Sequence, residues 1–223
     1  AVIPLSPIHV GVDLEIGALY FVAVASFGTL AVIFASWSSN NKYALLGAFR
    51  VVAQLISYEI PLAFALLVPV MLTGSMSMVD ITKAQAGMWF VFMAPLSALL
   101  FFISSQAETG RAPFDLLEAE SELVAGFNIE YSGMKFALFF AGEFMHVFTN
   151  GVLMAVLFTG GYIGIGGIEN SIPLLGLVFL LLKASIWYML SLLVRNALPR
   201  VRIDQLMNFN WKFLVPVSIV NVI

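Results

Sequence analysis

Ala107-Glu-Thr-Gly-Arg-Ala-Pro-Phe-Asp-Leu-Leu-Glu-Ala-Glu-Ser-Glu-Leu-Val-Ala-Gly-Phe-Asn-Ile-Glu-Tyr131 carries six of the chain's thirteen carboxylates and a single cation, Arg111. The segments on either side, 87–105 and 135–160, are apolar enough to cross a bilayer. A charged stretch between two such segments reads as a loop joining membrane helices. Ionisable groups held that close to lipid are costly, and they mark functional sites by default.

The rest of the chain fits that frame. It is 61% hydrophobic and only 10% charged, with a mean hydropathy of +1.00, whereas soluble domains run near a quarter charged. Six spans can be placed by apolar length, at about 20 residues each for a ~30 Å hydrocarbon core: 16–37, 46–73, 87–105, 135–160, 174–194 and 207–223. The runs are continuously apolar rather than alternating, which argues against a β-barrel. The expected fold is therefore all-α: a polytopic transmembrane helix bundle forming a single domain over 1–223, with 106–134 as an acidic cytoplasmic loop. No internal repeat supports an inverted-repeat transporter. There is no cysteine, which excludes disulfides and thiolate ligation of a metal or iron–sulfur cluster by this chain. The net charge of -3 gives no reason to expect a nucleic-acid partner. The chain starts in an apolar loop-like stretch, ends in an apolar run and carries no signal-peptide pattern, so it reads as a fragment of a longer polypeptide.

Orientation follows from Lys and Arg. Counting loops alternately, one side holds Lys42, Arg111, Lys135, Arg195, Arg200 and Arg202, and the other holds Lys83. The first side is expected to be cytoplasmic, or the mitochondrial matrix, and the acidic loop lies on it. Trp37, Trp89 and Trp211 fall near span ends, where interfacial aromatics belong.

Four charges lie inside the expected spans: Arg50, Glu59, Glu143 and Lys183. Each costs ~2.5–3.5 kcal/mol at a helix centre on insertion scales. Arg50, near a cytoplasmic end, is read either as snorkelling or as functional. Glu59, Glu143 and Lys183 sit deeper and favour function over a purely structural ion pair. Lys183, mid-span, suits a proton relay. Arg50, Gln54 and Ser57 share one helix face. Glu59 lies about 13.5 Å further along the axis on the opposite face, so it and Arg50 need partners elsewhere. Pro61 frees the carbonyl of Ser57, and in a membrane helix a freed carbonyl is tolerated only against protein or water. A wet pocket near Glu59 and a simple packing kink are both open readings.

Glu143 and His146 form Glu-x-x-His, the ligand spacing of di-iron bundles. Such a site needs a second motif, and His9, the only other histidine, has none, so no metal is expected. Glu143, His146 and Asn150 read instead as a polar stripe facing the bundle interior. In the acidic stretch, Asp115 with Glu118 three residues on looks like a helix start. Glu118 and Glu122 then share a face, and Glu120 turns about 200° away. Carboxylates that close titrate as a coupled set. A solvated acidic surface helix is the plainer alternative, but the flanking Ala-Pro-Phe and Leu-Val-Ala-Gly-Phe argue that the stretch packs onto something.

Four segments carry a resemblance that covers essentially the whole chain. They are Ser39-Asn-Asn-Lys-Tyr-Ala-Leu-Leu-Gly-Ala-Phe-Arg50, Ala53-Gln-Leu-Ile-Ser-Tyr-Glu-Ile60, the stretch 107–131, and Leu198-Pro-Arg-Val-Arg-Ile-Asp-Gln-Leu-Met207. Together they resemble the respiratory complex I membrane subunit that is designated H in bacteria and 1 in mitochondria. By the pattern of that family the chain begins at the end of the second span and contains the last six; the absent first span and its amphipathic helix form part of the family's quinone entrance.

The resemblance implies a subunit of a proton-pumping NADH:quinone oxidoreductase at the heel of the L-shaped complex. Its cytoplasmic loops would help line the quinone cavity, and its carboxylates would lead from there toward the pumps. Carried over by motif, the proton path comprises Glu59, Glu108, Asp115, Glu118, Glu120, Glu122, Glu130 and Glu143, with Lys183 at a basic position. The quinone cavity and the contact with the soluble arm would use Arg50, Arg111, Phe139, Phe140, Arg195, Arg200, Arg202 and Asp204. The implied partners are the other membrane subunits, the quinone-reducing subunits of the peripheral arm, quinone and lipid. NADH, FMN and the iron–sulfur clusters belong to partner subunits; this chain would bind no cofactor and hold no redox centre. Gly160 to Gly167 lacks the strand–helix context of a nucleotide loop. The membrane would be the bacterial cytoplasmic membrane or the mitochondrial inner membrane. Departures from the pattern are Gly110, Leu117, Ser36, and Phe-Met-His146 after Glu143; none removes a charged member of the set. The alternatives are the homologous subunit of a membrane-bound hydrogenase or ferredoxin-dependent complex, which neighbouring genes would reveal, and a stand-alone proton-coupled carrier, which would work alone in liposomes.

Overall fold

The computed structural model describes residues 2–7, 9–111, 113–114, 130–164 and 173–223. Among the described residues the regular structure is all helical. In chain order the helices are α1 (Gly17–Ser38), α2 (Lys42–Thr73), α3 (Met78–Ala84), α4 (Phe90–Met93), α5 (Pro95–Glu108), α6 (Met134–Phe158) and α7 (Pro173–Ala197), then α8 (Ile203–Phe209), a π-helical turn (Asn210–Leu214) and α9 (Val215–Val222).

Four of these, α1, α2, α6 and α7, are long and apolar enough to cross a membrane. The stretches expected as two further uninterrupted spans differ. The span expected at 87–105 is divided into α4 and α5. Pro95 has no N–H to give, and its ring drives the preceding residue out of the helical region; Ala94 sits accordingly at φ -131, ψ 65. The span expected at 207–223 stays helical throughout but passes through the π-turn, where the Val215 amide reaches back to the Asn210 carbonyl. Pro216 follows directly in the first turn of α9.

α2 is the organising element; α1, α5 and α9 pack on it, while α6 and α7 pair with each other. It starts at Asn41, whose side chain accepts from the Tyr43 amide at 3.0 Å, and ends at Gly74, whose φ of 70 a side chain would resist. Two prolines lie inside it, Pro61 and Pro69, and each removes a hydrogen bond from the carbonyl four residues earlier. Both freed carbonyls are met by a side chain from another helix. Asn210 Nδ2 donates to Ser57 O at 2.6 Å, and Ser97 Oγ donates to Ala65 O at 2.7 Å. Protein, rather than water, therefore satisfies the carbonyl that Pro61 frees, and the helix that makes the contact is the one carrying the π-turn.

The core runs along α2 through Tyr58, Leu62, Ala65 and Leu66, and meets Phe101, Leu153, Phe158, Leu206 and Leu214. Phe27, Phe34, Leu138, Ile186 and Leu193 point outward and are each more than 60% exposed, as lipid-facing residues of membrane helices should be. α6 and α7 approach closely at Gly151, where a Cβ would stand 3.0 Å from the Ala184 carbonyl. At one end of the bundle the Val201 amide donates to Pro113 O at 3.0 Å, and Asn41 Nδ2 donates to Glu130 Oε1 at 3.1 Å. The basic stretch after α7 and both described edges of the acidic stretch thus share that end.

Removing either proline partner leaves a buried acceptor unpaired. Ser97→Ala and Asn210→Leu are each expected to cost about 1–2 kcal/mol, read as earlier thermal unfolding in detergent. Unchanged melting of both would mean that the freed carbonyls find other donors.

Candidate functional site

The site is built around the exit from α5. Gln54, buried in the middle of α2, donates through Nε2 to the carbonyls of Ala107 at 2.7 Å and Phe114 at 2.9 Å. This one amide closes the turn after α5 and holds it inside the bundle. Gln106, Ala107, Thr109, Arg111 and Phe114 are accordingly buried, although the sequence placed the loop from 106 onward. Gln106 is also bonded to Ser191 of α7, and Tyr58 Oη donates to Leu206 O at 3.2 Å. Gln54 Nε2, Gln106 Nε2 and Tyr58 Oη thus each find a partner on a neighbouring element, whereas Gln54 Oε1 and Gln106 Oε1 have none among the described residues.

Glu108, the last residue of α5, therefore lies within the bundle. Asn150 of α6 donates from Nδ2 to Glu108 Oε2 and to Ser105 O, both at a long 3.5 Å. His146, one turn earlier on the same face, places Nε2 3.8 Å from Glu108 Oε1. A cleft of about 500 Å³ opens between α1, α2 and α6, and Glu59, Glu108, Glu143 and His146 all line it. Its remaining wall is mainly apolar, including Val24, Gly28, Leu55, Leu138, Phe139 and Met145. A second, enclosed space of about 10 Å³, near the volume one water needs, touches Glu59, Glu108 and Asn150.

Three carboxylates from three different helices thus line one cleft. Of the polar stripe, His146 and Asn150 approach Glu108, and Glu143 lines the same cleft.

The other predicted site residues are distributed as follows. Arg111 is buried, with its guanidinium 4.2 Å from the ring centre of Phe144, and its Nε and Nη2 find no acceptor among the described residues. Phe139 lines the cleft and meets Tyr131 edge-on, whereas Phe140, which is not among the lining residues, stacks on Phe136 and meets Phe144 edge-on. Arg50 is half-buried one turn before Gln54. Glu130 is exposed and accepts from Asn41 at the end of the bundle. Arg195, Arg200, Arg202 and Asp204 are exposed at that same end. Asp115, Glu118, Glu120 and Glu122 lie outside the described residues.

Lys183 is not among the residues that line the cleft. Its Nζ donates to Thr159 O at 2.6 Å, Gly161 O at 3.1 Å and Ile163 O at 2.6 Å, and it lies 4.8 Å over the Trp89 ring. This anchors the chain leaving α6, thirteen residues past His146, or about 20 Å along the axis. Gln85 completes the anchor by donating to Val156 O and accepting from the Gly160 amide. The residues that sequence reasoning passed over are uncharged amides. Gln54 was visible only as a polar residue on an apolar helix, and nothing in the sequence said which backbone it would hold.

A family model described as NADH dehydrogenase matches residues 1–223. The chain is 48% identical over 224 residues to the NADH-quinone oxidoreductase H subunit of Dehalococcoides mccartyi (strain CBDB1), a match covering 100% of this chain and 61% of that protein. It is 47% identical over 231 residues to the protein of that name from Geobacillus thermodenitrificans (strain NG80-2), and 44% identical over 223 residues to that from Brevibacillus brevis (strain 47 / JCM 6285 / NBRC 100599). Each of these two matches covers 100% of this chain and 66% of the relative. The chain thus spans slightly less than two thirds of the length of the curated relatives it matches.

Proposed function

This chain belongs to the NADH dehydrogenase family, and on that premise we propose that it is a portion of the H-type membrane subunit of a proton-pumping NADH:quinone oxidoreductase, in which its carboxylates couple quinone reduction to proton movement. The observation that carries the reading is the convergence of Glu59, Glu108 and Glu143 on one cleft. These residues come from α2, α5 and α6, and each alone is costly in a membrane helix. A group of carboxylates with room for water beside it is a means of passing protons through apolar surroundings.

In this reading the chain passes the membrane six times, with α4–α5 and α8–α9 as its two interrupted passes. The membrane is the cytoplasmic membrane of a bacterium. The described end carrying Arg195, Arg200, Arg202 and Asp204 faces the quinone-reducing arm, and Arg50, Arg111 and Phe139 lie toward the quinone cavity. The acidic stretch with Asp115, Glu118, Glu120 and Glu122 links that cavity to the cleft. Phe140 and Glu130 belong to the cavity side and the bundle end respectively. Lys183 holds the far end of α6 in place rather than carrying protons. NADH, FMN and the iron–sulfur clusters act in partner subunits; this chain has no cysteine to offer a cluster. Its own residues hold and move protons.

Glu59→Gln and Glu143→Gln are the test. Glutamine keeps the shape and removes the titrating group, so assembly should persist while inhibitor-sensitive quinone reduction and pumping fall several-fold per complex. Complex content is set by NADH:ferricyanide activity in the same membranes. Full coupled activity in both variants would leave the carboxylates a purely structural place.

A further inference from the structure

We propose that His146 is the proton-exchanging partner of Glu108, so that the carboxyl and the imidazole hold one proton between them. This rests on the carboxylate path proposed above and adds a residue to it. Among the described residues lining the cleft, His146 is the only one that becomes positive on taking a proton; the other ionisable lining groups, Glu59, Glu108 and Glu143, all become negative on losing one.

The geometry is directional. Asn150 reaches Glu108 Oε2, and its second contact, to the Ser105 carbonyl, turns its Nδ2 that way. The other oxygen, Oε1, is the one facing His146 Nε2 at 3.8 Å. That is an ion-pair distance, and about 1 Å of approach makes it a hydrogen bond. The Glu108 side chain is only 10% exposed, while the imidazole is 33% exposed. The pair therefore spans from the packed interior to the open cleft. The exchange is simple: the O–H bond at Oε1 breaks as an N–H bond forms at Nε2, leaving a carboxylate beside an imidazolium, and the return step reverses it. No electron moves.

The ionisable groups that share the cleft with the imidazole can be named element by element. α5 presents Glu108, α2 presents Glu59, and α6 presents Glu143 one turn before His146. α1 contributes Val24, Ala25, Gly28 and Thr29 to the cleft and no ionisable group. Arg111 lies over Phe144, beside Glu143 in the chain, with its guanidinium on the ring. Lys183 of α7 is committed to carbonyls at the far end of α6.

The test compares His146→Gln, and His146→Asn as a smaller polar replacement, with Glu108→Gln in the assembled complex in native membranes. Quinone reduction and proton pumping are measured against pH, normalised to NADH:ferricyanide activity. Both His146 variants should displace the profile along the pH axis by about one pH unit, because the group that exchanges a proton with Glu108 is gone. A histidine that merely packs there predicts a profile scaled down with its shape unmoved, and that result overturns the inference. If Glu108→Gln lowers activity while the His146 variants keep the profile in place, only the histidine role falls. If Glu108→Gln itself is normal, the carboxylate path falls with it.

Discussion

Glu108→Gln is expected to lower inhibitor-sensitive quinone reduction and pumping by tenfold or more per assembled complex, at the low end of the ~10²–10⁴-fold range for losing a positioned acid–base group. The reason lies in its position. Glu108 touches both the open cleft and the water-sized space behind it, and it is the carboxylate that Asn150 and His146 both address. Glutamine fills the same volume and can still bond to Asn150, so packing loss is small and assembly should be retained. Ferricyanide reduction by the same membranes, which bypasses quinone, should stay at its normal level. Coupled turnover within a factor of two of normal would remove Glu108 from the path and leave Glu59 and Glu143 to carry it.

The second large effect concerns stability. Gln54→Leu keeps the bulk of the side chain but removes the side-chain donor to the carbonyls of Ala107 and Phe114; the Gly110 amide still reaches Ala107 O at 3.2 Å, so Phe114 O is the acceptor left without a described donor. A buried acceptor left unpaired costs roughly 1–3 kcal/mol, a sizeable share of the ~5–15 kcal/mol that holds a typical domain together. The complex should be depleted in membranes, and what remains should lose quinone activity at lower temperature. Activity per remaining complex should fall as well, because Ala107 precedes Glu108 and the turn sets where that carboxylate points. Native-gel quantification with a thermal inactivation series reads both effects. Normal content and normal inactivation in Gln54→Leu would show that α5 ends where it does without this amide.

Much of the bundle was legible because membrane helices are specified locally. Apolar length alone places α1, α2, α6 and α7, since each must satisfy its own backbone and bury its own turns in lipid. The two interrupted stretches show where local reading stops. Pro95 stood in plain view, yet the apolar length around it was long enough to mask the break. Pro61 announced a freed carbonyl at Ser57, but whether water or protein would meet it depended on Asn210, which is 153 residues away in the chain.

The site divides along the same line. Helical periodicity put Glu143, His146 and Asn150 on one face and separated Arg50 from Glu59, because both statements concern a single helix. It could not say that Glu59, Glu108 and Glu143 would share a cleft, since their meeting depends on how α2, α5 and α6 pack. Lys183 makes the same point: nothing local in a mid-span lysine said that its Nζ would reach the carbonyls of Thr159, Gly161 and Ile163. The sequence alone determined that this chain is helical and membrane-embedded, and which charges were costly enough to need a purpose. Only the tertiary structure decided which charges meet and which are used for anchoring, because each helix presents several faces and packing chooses among them.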